Sequence, residues 1–298
     1  MIVVFGSLNV DIVVRMARLP APGETVPARD WRMLGGGKGA NQALAARRAG
    51  ADVAMIGHVG SDALAQSAIS PLSDAGVDVR NVGIAPHPTG IALIEVDAAG
   101  ENTIGVVPGA NAATNAAQVD DGMLTNRTTL VMQLEVPLAE VITLAARARQ
   151  RGARVLLNAA PAASLPRELV DALDVLVVNQ NEARQVATGL GLDGEPALCE
   201  ALGGGVRLVV VTLGSEGARY AHRGKTGRVT SPRVDVVDSV GAGDAFTGAL
   251  AAALDRGADV PRAMREAVAA GALACTATGA QAALPRRDAI AALADTLP

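Results

Sequence analysis

Ile2-Val3-Val4-Phe5-Gly6 sets four apolar residues in a row and stops them with a glycine. A run this short, apolar at every position, reads as a strand buried on both faces, the situation of a strand inside a parallel sheet. The pattern recurs downstream. Strands are expected over residues 53–57, 130–134, 155–158, 175–178 and 208–213, with helices over 62–75 and 138–151 among them. Strands spaced by helical segments argue for βαβ units. The expected fold class is therefore α/β, three-layer and doubly wound, a mostly parallel sheet between two layers of helices.

Two stretches depart from this pattern. Residues 12–26 are short alternating pieces interrupted by Leu19-Pro20-Ala21-Pro22-Gly23, and residues 89–107 have the same character, split by Gly100. Alternation leaves one face outside the main core, so these segments read as a small antiparallel β lid, formed by segments near 12–33 and 88–107 of a single domain spanning 1–298.

A chain of 298 residues can bury one large core. Its net charge of −4, with one Trp, one Tyr and two Phe, argues against nucleic acid as a partner, which asks for a basic footprint and stacking rings. Cys199 and Cys275 fit neither a disulfide framework nor a metal-ligand spacing and read as buried thiols; His58, His87 and His222 lack the spacing of a zinc site. Met1 runs into a strand with no basic leader, and no apolar run reaches membrane-spanning length, so a soluble, cytoplasmic protein is expected.

Ligands of doubly wound sheets bind beyond the carboxyl ends of the strands. The polar residues there are Asn9, Asp11, Glu135, Asn158, Asn179, Glu182 and Thr212. Ser7, Asn9 and Asp11 share one face if the chain stays extended; a neighbouring Asn and Asp at the end of a central strand suit a polyhydroxylated ligand and equally a solvated strand end. Glu135 reads equally as a loop carboxylate, and Asn179 with Glu182 equally as a helix capping box.

Two glycine-rich turns feed helices. Leu34-Gly35-Gly36-Gly37-Lys38-Gly39-Ala40-Asn41-Gln42 precedes a helical run over 43–49 closed by Gly50, but Gly39 stands where a phosphate loop needs Ser or Thr. What remains is a backbone that a ligand can approach closely, edged by a lysine and an asparagine. Asp238-Ser239-Val240-Gly241-Ala242-Gly243-Asp244 lies between the alternating residues 233–237 and an alanine-rich helix from Ala245. Such a turn gathers unpaired N–H groups and the positive end of a helix dipole, which suit an anion. A bound phosphate would repel the aspartate, unless that carboxylate takes the proton of a hydroxyl attacking a phosphoryl group. A capped helix start without a ligand is the alternative.

With these parts assembled, the chain resembles the ribokinase branch of the PfkB-type sugar kinases over essentially its full length. Gly36-Gly37-Lys38-Gly39-Ala40-Asn41-Gln42 is similar to the family's first signature and residues 238–244 to its second. Asn9-Val10-Asp11, Gln133-Leu134-Glu135, Asn158, residues 179–182 and Thr212-Leu213-Gly214-Ser215 follow the family's order. The resemblance implies an ATP-dependent kinase that phosphorylates a sugar hydroxymethyl group, in this branch the 5-hydroxyl of D-ribose. It implies Asp244 as catalytic base and Gly241, Ala242 and Gly243 as anion hole. It implies Asn9, Asp11, Gly36, Gly37, Lys38, Asn41, Glu135 and Asp244 around the sugar, and Asn179, Thr212, Gly214, Gly217 and Gly243 along ATP. Glu182 would position Mg²⁺ through water.

The resemblance also implies a monovalent-cation site, usually for K⁺, from Asp238 and Val240 on one side and Thr276 and Gly279 on the other. Gly279-Ala280-Gln281 fits the family, whereas Ala282 and Ala283 stand where relatives often carry Pro and Ser, and Ala283 offers no side-chain oxygen. Family members often form a homodimer through their lids, and the alternating residues 91–96 offer an apolar face for it. The alternatives are a kinase for fructose, 2-keto-3-deoxygluconate or a nucleoside, the last disfavoured by the few aromatics, and a non-catalytic sugar-sensing protein, disfavoured by the intact residues 241–244.

Overall fold

The computed structural model describes residues 1–202 and 206–298. In chain order its first half comprises β1 (Ile2–Phe5), β2 (Asn9–Met16), β3 (Ala28–Gly36), α1 (Lys38–Arg48), β4 (Val53–Gly60), α2 (Leu64–Asp74), β5 (Asp78–Ala85), β6 (Gly90–Val96), β7 (Asn102–Val107) and β8 (Thr129–Met132). There follow α3 (Leu138–Gln150), β9 (Arg154–Asn158), α4 (Arg167–Ala172), β10 (Val175–Asn179), α5 (Gln180–Gly189), α6 (Gly194–Leu202), β11 (Leu208–Thr212), β12 (Ala218–His222), β13 (Lys225–Val229), α7 (Ala242–Asp255), α8 (Val260–Ala274) and α9 (Arg287–Ala294).

Among the described residues β1 lies inside a nine-stranded sheet of order β13-β12-β11-β10-β9-β8-β1-β4-β5. Its pairings are parallel except at one edge, where β12 runs antiparallel to β11 and to β13. Side chains alternate across the sheet, so each apolar strand feeds two cores. Ile2 and Val4 pack with residues of α1, α7 and α8, while Val3 and Phe5 pack with residues of α3, α4 and α5. This is the expected three-layer α/β arrangement. Both cysteines, read as buried, are half-buried, and they form no disulfide.

The second sheet has the order β3-β2-β6-β7. Its outer pairs are antiparallel, but β2 and β6 pair in parallel, so the sheet is mixed where an antiparallel one was expected. The reason is topological. β2 follows β1 and β6 follows β5, so both leave the main sheet at the carboxyl edge of parallel strands and point the same way. Asn9 and Asp11 therefore sit at the base of the small sheet, not at the end of a central strand. One face of this sheet carries Asp11, Val13 and Ile94 toward the main body; the other exposes Trp31, Met33, Leu93 and Val107.

Other boundaries moved for physical reasons. The helix expected from Ala43 begins at Lys38, because Gly37, at φ 88°, makes the turn immediately before it. Residues 233–237 form no strand despite their alternation; Val236 and Val237 are exposed, and among the described residues no strand pairs with this segment. α1 and α7 pack so closely that a Cβ on Gly248 would lie 2.5 Å from that of Ala45. That contact brings the N-termini of both helices to the carboxyl edge of the sheet, between β1 and β8.

Candidate active site

Asp244 lies in the first turn of α7 and is 7% exposed. Two amides of α1 hold it: Asn41 Nδ2 donates to Oδ2 at 3.0 Å and Gln42 Nε2 to Oδ1 at 2.9 Å. The turn ahead of it depends on Gly241, whose φ of 81° is left-handed and where a Cβ would meet Ala280 at 2.8 Å. Gly243 faces open space, and among the described residues the N–H groups of Gly243 and Asp244 find no acceptor. Together with Ala242 they form the helix start that suits an anion.

Opposite this turn stand the residues of the first glycine run. Lys38 begins α1 with its ammonium amid the charges of Asp244, Glu135 and Glu182; burial pulls its pKa down, and those carboxylates outweigh it, raising the net value. Glu135, just beyond β8, accepts from Ser7 Oγ at 2.5 Å and from the Lys38 amide at 3.0 Å, so it anchors the start of α1 as well as facing the site. Gly36 closes β3, and a Cβ there would strike the Asp11 carboxylate at 2.1 Å. Asn9 is oriented by Asn111, whose Nδ2 donates to Asn9 Oδ1 at 2.7 Å.

Three carboxyl groups here are pushed up, in each case first by burial. Asp11 rises to about 7, with the charges of Glu135 and Asp244 adding to the effect. Asp244 is raised although Lys38, Asn41 and Gln42 work in the opposite sense. Glu182 is raised against the Asn179 amide and Lys38.

A neighbouring cleft of about 930 Å³ runs from Thr212, Gly214 and Gly217 to Ala242 and Gly243, with Phe246, Val268 and Ala272 on its apolar wall. Those parts fit a nucleotide, an apolar slot for the base ending at the open helix start for the phosphates. Asn179 and Glu182 form the capping box of α5: Asn179 Oδ1 accepts from the Glu182 amide at 2.9 Å, and Glu182 Oε2 accepts from the Asn179 amide at 2.7 Å. This leaves Glu182 Oε1 for a water. Among the described residues no three side chains cluster as a metal cage, and a Mg²⁺ carried mainly by phosphates and water asks for none.

Asp238 joins two loops, accepting from the Val240 amide at 3.0 Å and the Gly279 amide at 2.9 Å. Asp238, Val240 and Gly279 line one cleft with Asp11. Thr276 stays outside that cleft, exposed, with its hydroxyl donating to Leu273 O at 2.7 Å. Ala283 contributes only its amide, to Gly279 O.

The sequence matches the pfkB family carbohydrate kinase profile over residues 1–287. The chain belongs to that family. It is 34% identical over 292 residues to the ribokinase of Haemophilus influenzae, covering 96% of this chain and 95% of that one. It is also 34% identical to a Salmonella typhi deoxyribokinase, covering 95% of each. The fold matches the crystal structure of Thermotoga maritima ribokinase with a TM-score of 0.92 at 30% identity, covering 99% of both chains. It matches Arabidopsis thaliana ribokinase complexed with ribose and ATP at 0.88 and 33% identity, covering 98% of both. This pfkB kinase is thus a sugar kinase with its polar residues collected at one sheet edge.

Reading the sequence did not single out Ser7, Gln42, Gln133 or Asn111 as site residues. Ser7 shares a face with Asn9 and Asp11 without a role of its own, Gln42 and Gln133 lie within the segments 34–42 and 133–135, and Asn111 follows an unpatterned loop, so only the contacts reveal it.

Asp11 yields a pH prediction. A folded-state pKa of about 7, above the ordinary carboxylate value, means that the ligand-free fold binds this proton more tightly than the unfolded chain. The associated stability is full at low pH and is lost as pH rises through about 7. Asp11→Asn is expected to melt above the wild type at pH 8, with the gap closing toward pH 4; a pH-independent gap in thermal melts refutes the assignment.

Proposed function

We propose that this protein transfers the γ-phosphoryl group of ATP to the 5-hydroxyl of D-ribose. The observation that carries the reading is the buried Asp244 carboxylate at the open start of α7, facing Lys38 and the polar residues of β2 and α1, in a chain similar to ribokinases.

In this reading Asp244 accepts the proton of the attacking hydroxyl, and Gly241, Ala242 and Gly243 stabilise the transferring group through backbone N–H. Phosphoryl transfer passes through a loose transition state, so positioning and charge neutralisation outweigh a strong base. Asn9, Asp11, Gly36, Gly37, Lys38, Asn41 and Glu135 hold the sugar. The buried Asn41 Oδ1, which has no hydrogen-bond partner among the described residues, is an acceptor suited to a sugar hydroxyl. Asn179, Thr212, Gly214 and Gly217 line the nucleotide, and Glu182 holds Mg²⁺ through water. Mg²⁺ supplies charge neutralisation on the phosphates. Asp238, Val240 and Gly279, with Thr276 at the loop's start, are assigned to K⁺.

The small sheet acts as a lid, from segments near 12–33 and 88–107 of one domain, and excludes water as a competing acceptor. Its outward face, with Trp31 61% and Leu93 42% exposed, pairs with a second copy to form a homodimer. ATP as donor fits a cytoplasmic enzyme. A kinase for 2-deoxyribose is the second reading, favoured by the likeness to a deoxyribokinase.

A coupled assay over D-ribose, 2-deoxy-D-ribose, fructose, 2-keto-3-deoxygluconate and nucleosides is expected to give the highest kcat/KM for D-ribose; a higher value for another acceptor overturns the substrate. Asp244→Asn is expected to lower turnover about 10²–10⁴-fold, the usual worth of a general base, with ribose binding retained. Near-normal turnover removes Asp244 from that role. Rates in K⁺, Na⁺ and choline buffers are expected to be highest in K⁺, and equal rates abolish the cation site. Leu93→Glu is expected to sediment as a monomer with the emission of Trp31, the only tryptophan, shifted to the red. A wild-type protein that sediments as a monomer contradicts the dimer.

A further inference from the structure

Behind Asp244 lies a train of buried side-chain amides. Gln42 and Gln133 are fully buried and Asn158 is 8% exposed. Asn158 Nδ2 donates to the backbone carbonyl of Val177 at 3.2 Å. A carbonyl can only accept, so this contact fixes which end of the Asn158 amide faces it, and Asn158 Oδ1 is turned toward Gln42. Gln42 Nε2 donates to that oxygen at 3.0 Å and to Asp244 Oδ1 at 2.9 Å, which uses both its hydrogens. Gln133 Nε2 closes the train by donating to Gln42 Oε1 at 2.7 Å.

Reversing the Gln42 amide would set its oxygen against two acceptors and its NH₂ against that of Gln133. The polarity of the contact with Asp244 is thus fixed by the Val177 backbone, through Asn158, as well as by Asp244 itself. The train needs space: a Cβ on Gly6 would lie 2.0 Å from Gln133 Oε1.

We infer that Gln42 and Gln133 are positioning residues for phosphoryl transfer, a relay anchored on the Val177 carbonyl that always offers Asp244 a donor and so keeps its carboxylate oriented and ready to accept a proton. The inference rests on the reading of Asp244 as the base. It separates the two amides that Asp244 receives. Asn41 belongs to the open site, where a sugar can compete for it; Gln42 is out of a ligand's reach and persists through turnover. Other charged groups bear on the same carboxylate: Lys38 on α1, Glu135 after β8, Glu182 on α5 and Asp11 on β2. The relay is the neutral, permanent part of that environment.

The test is the pH profile of kcat at saturating sugar and ATP for the full chain, with Gln42→Met and Gln133→Met, which keep side-chain length and remove the hydrogen bonds. Losing a donor to an ionised carboxylate favours its protonated form. The acid limb of the Gln42→Met profile is therefore expected to move up by about one to two pH units, with kcat at neutral pH falling about tenfold or more. Gln133→Met is expected to move the limb in the same direction by less, because Asn158 still holds Gln42. KM for the sugar should stay close to that of the wild type in both.

A lower kcat with an unmoved limb, in either variant, overturns the relay and leaves a structural role. If Gln42→Met does not fold, Gln133→Met, farther from Asp244, decides the question by the same limb. Asp244→Asn, run beside them, keeps the failures apart: full activity there removes the base, whereas an inactive Asp244→Asn with unmoved limbs in the glutamine variants removes only the relay.

Discussion

A carboxylate shut away from water at the start of a helix is the constraint on which the rest of this molecule turns. Left alone, an ion in such a place is penalised by several kcal/mol and tends to neutralise instead. Here the amides of Asn41 and Gln42 and the positive charge of Lys38, all on one neighbouring helix, offset part of the penalty, and burial still leaves the carboxyl group raised. That arrangement works only if α1 and α7 cross tightly, which is what Gly248 against Ala45 permits. The identity of a glycine well inside α7 is thus tied to the electrostatics of its first turn.

The two cores serve the same end. Because every residue of β1 is buried, the strand cannot shift along its neighbours without burying a misfit on both faces. Its carboxyl end is therefore a fixed reference, and Ser7, one residue beyond Gly6, transmits that position to Glu135 and to the Gly39 amide. The layers hold the charged residues, while the neighbouring cleft is bordered by the turns near Gly214 and Ser231 and by residues of α7 and α8.

Much of this was legible in the sequence. Uninterrupted apolar runs specify buried parallel strands, and glycine turns before helices mark anion-suited ends; both leave a local signature, so the α/β class and the residues around Asp244 could be read directly. The parallel pairing of β2 with β6 could not, since pairing direction depends on where strands leave the main sheet and has no local signal. Nor could residues 233–237, whose alternation imitates a strand but which pair with no strand among the described residues. Asn179 and Glu182 show why two readings of one motif stayed open: they form a complete capping box and also stand at the carboxyl edge of the sheet. Asn111 and the Gln42–Gln133 contact are relations between distant segments, legible only once the chain is folded.

The short link between β1 and β2 has a consequence for timing. Only three residues, 6–8, separate a strand locked in the main sheet from one that carries Asn9 and Asp11 in the small sheet. Any rotation of the small sheet must carry those two side chains with it, while Lys38, Asn41 and Asp244 remain with the helices. If the small sheet opens as a lid, as proposed, a molecule held by both sets would tie the two bodies together, and its release would be coupled to that opening.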